Sequence, residues 1–488
     1  MQFVKIAIFL VTFLQIWTSI RGQCEGSSNA VNVSYPEGTY YVFEGDDINV
    51  TVSVEAVTTQ GIITFQTENQ ANFELVVDES FPVTPDDVLP KNLTVMIHAR
   101  LISISELQVR FKADASEDVL KVGSQTIAVK RIPSILQTIY IYTLMVWIVL
   151  SYLSMGGTMD LQVIWARVRR PWGVIIGIFC QFIIMPVMTY YIAKVAVADD
   201  PPTALGIIIV GTCPGGWLSN VFSVLLDVDF VLSLTMTFFS SIIAMGMMPL
   251  NLFIYATPYA EDNARLETPF GEMAQQLALL VVPCFIGIGV SYRYPKFRTF
   301  CSKVMKPIGT LLIVLGVSLA VPADLYAFTT SSVKIWVVSI ITPAFGAFFG
   351  LSFARIFARD IRTSITIALE TGIQNALLGR TIIGLFYPQP EADLIARVML
   401  VNVVVTLIEG VVASVVYSTV RYLLCRSRCD DILGGRETED GDEEKIINDG
   451  ESIKPSAVFT VNGSMKETRD TQAGDGGLDN PCVDLTVL

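Results

Sequence analysis

Charged side chains are scarce in this chain of 488 residues. Asp, Glu, Lys and Arg together make up 16% of the sequence, and there is a single histidine. Hydrophobic residues make up 52%, and the mean hydropathy is +0.54. Such values exclude an ordinary soluble globular protein and indicate a polytopic membrane protein. The chain also lacks a long basic stretch, so it is not expected to bind nucleic acid.

Disulfide frameworks and catalytic constellations are also lacking. Of the eight cysteines, only Cys24 lies in the N-terminal region, which therefore cannot close a disulfide of its own. We find no pairing of a nucleophile with a general base and no nucleotide-binding loop. The sequence therefore predicts neither an enzyme nor an organic cofactor.

The N-terminal part divides into two segments. Residues 1–22 have a basic start at Lys5 and a short apolar core, which predicts a signal peptide; an uncleaved first membrane span is the alternative. Residues 24–133 are rich in Val and Thr, with alternating polarity between turn signals, which predicts a small all-β domain resembling a sandwich. Three sequons in this segment predict glycosylation and an extracellular location, at Asn32, Asn49 and Asn92.

Residues 134–422 form the predicted transmembrane domain. We identify nine hydrophobic segments near the length needed to cross a bilayer: 135–156, 173–193, 203–226, 230–255, 273–291, 307–325, 335–354, 363–386 and 395–420. With the N-terminus outside, 14 basic residues fall on the cytosolic side and five on the outside. This asymmetry follows the positive-inside rule. We therefore expect a multi-pass plasma-membrane protein with an extracellular N-terminus and a cytosolic C-terminus.

The C-terminal segment, 423–488, is polar and acidic. Its composition predicts a disordered cytosolic tail. The last three residues, Thr486, Val487 and Leu488, match a ligand for a PDZ-domain protein, which binds such ends by strand addition. A pattern this short also arises by chance, so both alternatives stay open.

A carboxylate inside a predicted membrane helix is the strongest functional signal. Glu370 lies in the eighth span, where Gly372 weakens the helix and Gln374 shares the helix face if the helix persists. The third span is interrupted at 211–216 by Gly-Thr-Cys-Pro-Gly-Gly. Two broken helices with oxygen ligands indicate an ion-coupled transport site. Because the two spans run in opposite directions, they also predict an inverted repeat.

Oxygen-bearing side chains near both interruptions suit a sodium ion. Sodium is a hard cation that needs several oxygens, and at least one should be anionic at low dielectric. For Ser233 or Gln181 alone, ordinary hydrogen bonding between helices is the simpler interpretation. The full set of candidates is Gln181, Ser219, Asn220, Ser233, Thr237, Glu370 and Gln374.

These motifs resemble the sodium/bile-acid cotransporter family. The matching stretches are 170–173, 180–182, 211–216, 219–220, 246–249 and 370–375, and the resemblance covers about 150–425. It implies a core domain with two crossing broken helices, which moves against a panel domain and binds two sodium ions. One implied sodium site comprises Ser219, Asn220, Ser233, Thr237 and Glu370. The other comprises Gln181, Glu370 and Gln374 with the carbonyls of Thr371 and Ile373.

The resemblance also bears on the substrate. It places Asn375 at the crossing, close to substrate. Trp217 stands where the bile-acid carriers have a small or polar residue, and Arg380 where they have a small hydroxyl residue. Arg380 either pairs with an anionic substrate or faces the cytosol or lipid headgroups. The β-rich domain is absent from the bile-acid carriers and looks like that of orphan branches of the family.

Two functions follow from these observations. The first is a sodium-coupled symporter of an organic anion of the bile-acid or sulfated-steroid class, whose partners are the substrate, sodium and the lipid bilayer. The alternative is a receptor or adhesion protein whose ectodomain binds a partner and whose transporter fold does not transport.

Overall fold

The structure is a computed structural model, and it describes residues 31–35, 38–76, 80–114, 118–132, 134–160, 162, 165, 169, 171–260 and 270–443. The chain divides into two compact units, Met1–Gly410 and Val411–Leu488. The predicted signal peptide at 1–22 and the predicted PDZ ligand at 486–488 lie outside the described residues.

The first part of the chain is an all-β domain, as the sequence predicts. Its strands are β1 (Val31–Ser34), β2 (Tyr40–Phe43), β3 (Asp47–Val57), β4 (Gly61–Thr67), β5 (Phe73–Leu75), β6 (Ser80–Val83), β7 (Lys91–Ala99), β8 (Ser103–Ala113) and β9 (Val119–Lys130). One sheet has the order β1-β3-β7-β5 and the other β2-β9-β8-β4-β6. All the strand pairs are antiparallel except β2 with β9, which is parallel.

Both sheets contribute to one apolar core. Val50 and Val52 of β3 are fully buried together with Ile63 of β4 and Phe111 of β8. Because side chains alternate along a strand, the polar residues between them face outward. The asparagines of the three sequons, Asn32, Asn49 and Asn92, are exposed on strands of the four-stranded sheet.

The rest of the described chain is helical. The helices are α1 (Ile135–Thr158), α2 (Trp172–Ala196), α3 (Pro201–Thr212), α4 (Trp217–Leu225), α5 (Phe230–Tyr255), α6 (Thr257–Ala260), α7 (Phe270–Arg293), α8 (Pro295–Ala323), α9 (Leu325–Thr329), α10 (Val333–Ile356), α11 (Ile361–Gly372), α12 (Ala376–Phe386) and α13 (Glu391–Glu443). Among the described residues, six helices are long and apolar enough to cross a membrane: α1, α2, α5, α7, α10 and α13. This agrees with a polytopic helical membrane protein, while nine spans and an inverted repeat stay predictions.

Asp and Asn side chains fix the start of four helices around the site. Asp200, Asp229 and Asp360 each accept a hydrogen bond from a backbone N–H in the first turn of α3, α5 and α11, and Asn375 does so for α12. Such caps satisfy N–H groups that have no partner within the helix. They set where each helix begins, and therefore which residues lie at the breaks.

The last helix corrects one prediction. We expect disorder from residue 423, but α13 continues to Glu443, so the segment 423–443 is helical. The physical reason is that extending an existing helix adds one hydrogen bond per residue without a new nucleation cost.

Candidate functional site

The two predicted helix breaks lie against each other. The chain between α3 and α4 pairs with the chain between α11 and α12 as a short antiparallel bridge. Two backbone hydrogen bonds join them, from the N–H of Gly216 to the carbonyl of Ile373 (2.8 Å) and from the N–H of Asn375 to the carbonyl of Pro214 (3.0 Å). The pairing satisfies backbone groups that an interrupted membrane helix would otherwise leave unpaired. We call this paired segment the crossing.

Proline and glycine at the first break have separate roles. Pro214 has no N–H to continue the helical ladder. A Cβ atom on Gly215 would overlap a carboxylate oxygen of Glu370, and a Cβ atom on Gly216 would lie 2.9 Å from the carbonyl oxygen of Gln374. Glycine is therefore required at the crossing by the close approach of the two breaks.

Glu370 lies directly behind the crossing and is 2% exposed. Its Oε2 atom accepts hydrogen bonds from the hydroxyls of Ser219 (2.6 Å) and Ser233 (3.3 Å). Its Oε1 atom accepts one from the hydroxyl of Thr237 (2.7 Å). In the part of the chain that the structure describes, these partners are all neutral. A buried carboxylate without a positive partner is costly, so the arrangement suits a bound cation.

Asn220 completes the group predicted for the first sodium site. Its amide nitrogen donates to the hydroxyl of Thr237 (3.1 Å). Its amide oxygen is buried and has no hydrogen-bond partner among the described residues. The structure thus brings together oxygens of three helices, α4, α5 and α11. The set of donor atoms, four neutral oxygens and one carboxylate, is chemically suited to sodium.

The residues predicted for the second site also lie together. The amide nitrogen of Gln181 donates to the carbonyl of Cys213 (2.6 Å) and contacts the amide oxygen of Gln374. Gln374 in turn donates to the carbonyl of Thr371 (2.8 Å). The amide oxygen of Gln181 is buried without a hydrogen-bond partner in the described structure. The carbonyl of Ile373 points into the crossing, where it accepts the N–H of Gly216.

Local backbone geometry places two of these glutamines. Gln181 lies in a π-helical turn of α2, Cys180–Ile184, and such single turns often occur at functional sites. The helix α11 ends at Gly372, so it does not persist to Gln374. Gln374 therefore reaches the site from unwound chain, rather than from the same helix face as Glu370.

A cavity of about 140 Å³ adjoins the crossing. It is lined by Tyr140, Thr143, Leu144, Trp147, Ile148, Ser151, Tyr152, Gly216, Trp217, Leu218, Val321, Phe328, Ile373, Gln374, Asn375, Ala376, Leu377, Leu400, Val403, Val404, Thr406 and Leu407. Two of the predicted substrate residues, Trp217 and Asn375, are in this lining. The lining contains no Asp, Glu, Lys or Arg, so its walls are largely apolar.

Helix α1 carries buried polar atoms beside this cavity that the sequence analysis missed. The Tyr140 hydroxyl, the Trp147 indole nitrogen and the Ser151 hydroxyl are buried, with no hydrogen-bond partner among the described residues. Their spacing of seven and four residues places them along one helix face. That spacing is visible in the sequence, but it becomes informative only once the cavity is located. Tyr152 differs, because its hydroxyl accepts a hydrogen bond from Asn375 (3.3 Å).

Arg380, the third predicted substrate residue, lies elsewhere. It is not in the cavity lining, and its side chain is buried at 2% exposure. Its guanidinium lies 3.5 Å from the carboxylate of Asp324. The expectation that Arg380 faces the cytosol or lipid headgroups is therefore wrong for this structure, because its partner is a buried acid. Pairing with a substrate stays a prediction.

Comparisons with known proteins place the chain among transporters. Residues 144–330 match the profile described as the Sodium Bile acid symporter family. An ileal sodium/bile acid cotransporter of Cricetulus griseus is 35% identical over 263 residues, which cover 54% of this chain and 74% of that protein. The protein of the same description from Mus musculus is 32% identical over 290 residues, 59% of this chain and 82% of that protein. A sodium-dependent organic anion transporter of Homo sapiens is 30% identical over 308 residues, 63% of this chain and 79% of that protein.

Proposed function

This chain belongs to the sodium bile acid symporter family, and from that premise we propose that it is a sodium-coupled symporter of an organic anion at the plasma membrane. The observation that carries the proposal is the environment of Glu370. Its carboxylate is buried behind the crossing, and its three described partners are neutral hydroxyls. A sodium ion would supply the positive charge that these groups lack.

We assign the first sodium ion to Glu370 with Ser219, Asn220, Ser233 and Thr237. The second ion would use Gln181, Glu370 and Gln374 with the carbonyls of Thr371 and Ile373. The unpartnered amide oxygens of Asn220 and Gln181 support this assignment, because each would gain a ligand role on sodium binding. Glu370 would serve both ions.

The substrate class follows from the cavity. Its apolar walls suit a hydrophobic body. Three lining residues, Tyr140, Trp147 and Ser151, carry buried donors without a described partner, and these donors would suit oxygen acceptors on that body if the side chains turned toward it. The N-termini of α4 and α12 meet at the cavity, and helix N-termini favour negative charge. An amphipathic anion such as a bile acid or a sulfated steroid fits this combination. Trp217 would narrow the space beside the anion.

The membrane arrangement belongs to the same proposal. Nine spans in an inverted repeat would include the two broken helices, α3 with α4 and α11 with α12. The β domain would be extracellular and glycosylated at Asn32, Asn49 and Asn92, and the C-terminus would be cytosolic. The exposure of all three asparagines supports glycosylation.

Uptake in cells that express the full chain tests the proposal. A panel of radiolabelled bile acids and sulfated steroids would be offered in sodium and in choline medium. We expect uptake that requires sodium, is lost in Glu370→Gln at unchanged surface level, and persists in Glu409→Gln. The second variant is a matched control, because Glu409 lies on α13 outside both proposed sites. Surface expression without uptake of any tested anion would contradict the substrate class. If sodium does not raise the melting temperature of the purified protein above its value in choline, the coupling is contradicted.

A further inference from the structure

The side chain of Arg131 connects the β domain to the helical part. This residue follows the last residue of β9 and precedes α1. Its guanidinium donates to the carbonyl of Ala323 (3.0 Å) and lies 3.3 Å from the carboxylate of Asp324 and 3.4 Å from that of Asp393. It also lies over the ring of Tyr326, 4.3 Å from the centroid. One side chain thus joins the β domain to the end of α8, to α9 and to the first turn of α13.

The carboxylate of Asp324 has a second cationic partner, Arg380 of α12, at 3.5 Å. Asp324 is fully buried and Arg380 is 2% exposed. Arg380 lies one turn into α12, the half-helix that begins at the crossing. A single buried carboxylate therefore connects Arg131 to the broken helix that carries Asn375 at its cap.

These four charged side chains form one ionic group, in which each charge is compensated by its neighbours. Two guanidiniums, Arg131 and Arg380, face two buried carboxylates, Asp324 and Asp393. Tyr326 adds a hydrogen bond from its hydroxyl to Asp393 (3.2 Å). Removing one member of a buried ionic group leaves its partners uncompensated, so the remaining charges must rearrange. Loss of Arg131 would leave Arg380 as the only described cation beside Asp324.

An apolar contact supports the same connection. Ile102, between β7 and β8, is 3% exposed and belongs to one cluster with Tyr326, Leu394 and Leu400 of the helical part. Leu400 also lines the cavity beside the crossing. One apolar cluster therefore contains both a residue of the β domain, Ile102, and a residue of the cavity wall, Leu400.

A charged residue of the β domain lies near the same group. Burial raises the pKa of Glu44 above its usual value, and the nearby Arg131 guanidinium only partly offsets that rise. Glu44 also holds the end of β9, because its N–H donates to the carbonyl of Lys130 (2.9 Å). The backbone immediately before Arg131 is thus held within the β domain.

We propose that Arg131 is a positioning residue for the transport site. Through Asp324 it holds Arg380 and α12, and with them the crossing at which the sodium and substrate sites meet. The β domain then influences the sodium and substrate sites, rather than acting as an independent domain. The transport consequence rests on the proposed function, whereas the contact itself does not.

Thermal unfolding of the purified full chain tests the proposal. Sodium chloride would replace choline chloride at constant ionic strength, and the sodium concentration for half-maximal stabilisation would be measured. We expect Arg131→Gln to raise this concentration by about fivefold or more, the lower end of typical coupling between sites. The matched control is Arg100→Gln in the same domain, where Arg100 pairs with Glu74 and is 48% exposed. We expect that control to stay within about twofold of wild type, because exposed ion pairs contribute little.

Two further variants separate positioning from general destabilisation. Arg131→Lys keeps the charge but loses the planar fork, so we expect a midpoint between those of wild type and Arg131→Gln. Arg131→Gln combined with Asp393→Asn should lower the melting temperature by less than the sum of the two single changes, because both remove one contact.

The outcomes are distinct. A wild-type sodium midpoint in Arg131→Gln would overturn the positioning role, even if the melting temperature falls. If the losses in melting temperature of Arg131→Gln and Asp393→Asn are additive in the double variant, the contact between Arg131 and Asp393 is refuted. If wild type shows no stabilisation by sodium, the proposed function fails, and the double variant still decides whether the contact holds the two parts together.

Discussion

Replacement of Glu370 by Gln is the most direct perturbation of the proposed sodium sites. The change is nearly isosteric, and the amide oxygen can still accept hydrogen bonds from two of the hydroxyls that now reach the carboxylate. It removes the negative charge and turns one oxygen into a nitrogen, which cannot coordinate a cation. Sodium binding should therefore fail, while the packing behind the crossing persists.

The magnitude follows from the attraction that is lost. Two unit charges about 4 Å apart attract by roughly 4 kcal/mol at an effective dielectric constant of about 20. Since about 1.4 kcal/mol corresponds to a factor of ten, the sodium affinity should fall by roughly a thousandfold. Without sodium, the substitution should stabilise the folded protein, because the wild type must keep a buried carboxylate among neutral hydroxyls. The variant should then be at least as stable as wild type in choline medium.

Thermal unfolding in sodium and in choline at equal ionic strength measures both effects. A ligand that binds only the folded state stabilises it in proportion to the logarithm of its concentration above Kd. Wild type and Glu409→Gln should therefore gain stability in sodium, and Glu370→Gln should not. A sodium-specific gain of wild-type size in Glu370→Gln would refute the assignment of this carboxylate. A variant much less stable than wild type in choline would refute the argument about its buried charge.

Three further predictions concern the surroundings of the site. Gly215→Ala should abolish stabilisation by sodium, because its Cβ would overlap Glu370, while Gly246→Ala, with open space around its Cβ, should not. Trp217→Ala widens the cavity, so KM values across an anion panel should change more than the sodium midpoint. Replacement of a sequon asparagine by Gln should remove one glycan and lower the apparent mass on a gel by one step. The three asparagines to be replaced one at a time are Asn32, Asn49 and Asn92.

Local sequence signals predict the main features of the site. A carboxylate in an apolar segment and a Pro-Gly-Gly interruption mark the two breaks, because both features are unfavourable within an isolated membrane helix. The structure places these two segments against each other and gathers the candidate oxygens around Glu370. The alternating pattern of β3 likewise predicts its buried valines.

Contacts between distant residues are not predictable in this way. Asp324 has the sequence features of an ordinary residue at a helix end, and only the fold brings it to both Arg131 and Arg380. The sequence alone therefore leaves several roles open for Arg380, whereas the structure shows that it pairs with the buried Asp324. The donors on α1 escape notice for a similar reason, since a Tyr, a Trp and a Ser on one helix face become significant only beside a cavity.

The two proposed binding functions share one short piece of chain. Ile373 and Gln374 line the cavity, and they are also proposed ligands of the second sodium ion. Asn375 follows at once and contacts Tyr152 across the cavity. An ion that orders this segment must therefore change the affinity for substrate, and linkage requires the substrate to change the overall sodium affinity, taken over both proposed ions, by the same factor. Sodium titrations with and without saturating substrate, fitted for both ions, and substrate affinities in sodium and in choline would measure both factors. Unequal factors at equilibrium would mean that the two measurements do not report one binding cycle, and factors of one would mean that the crossing does not couple the sites.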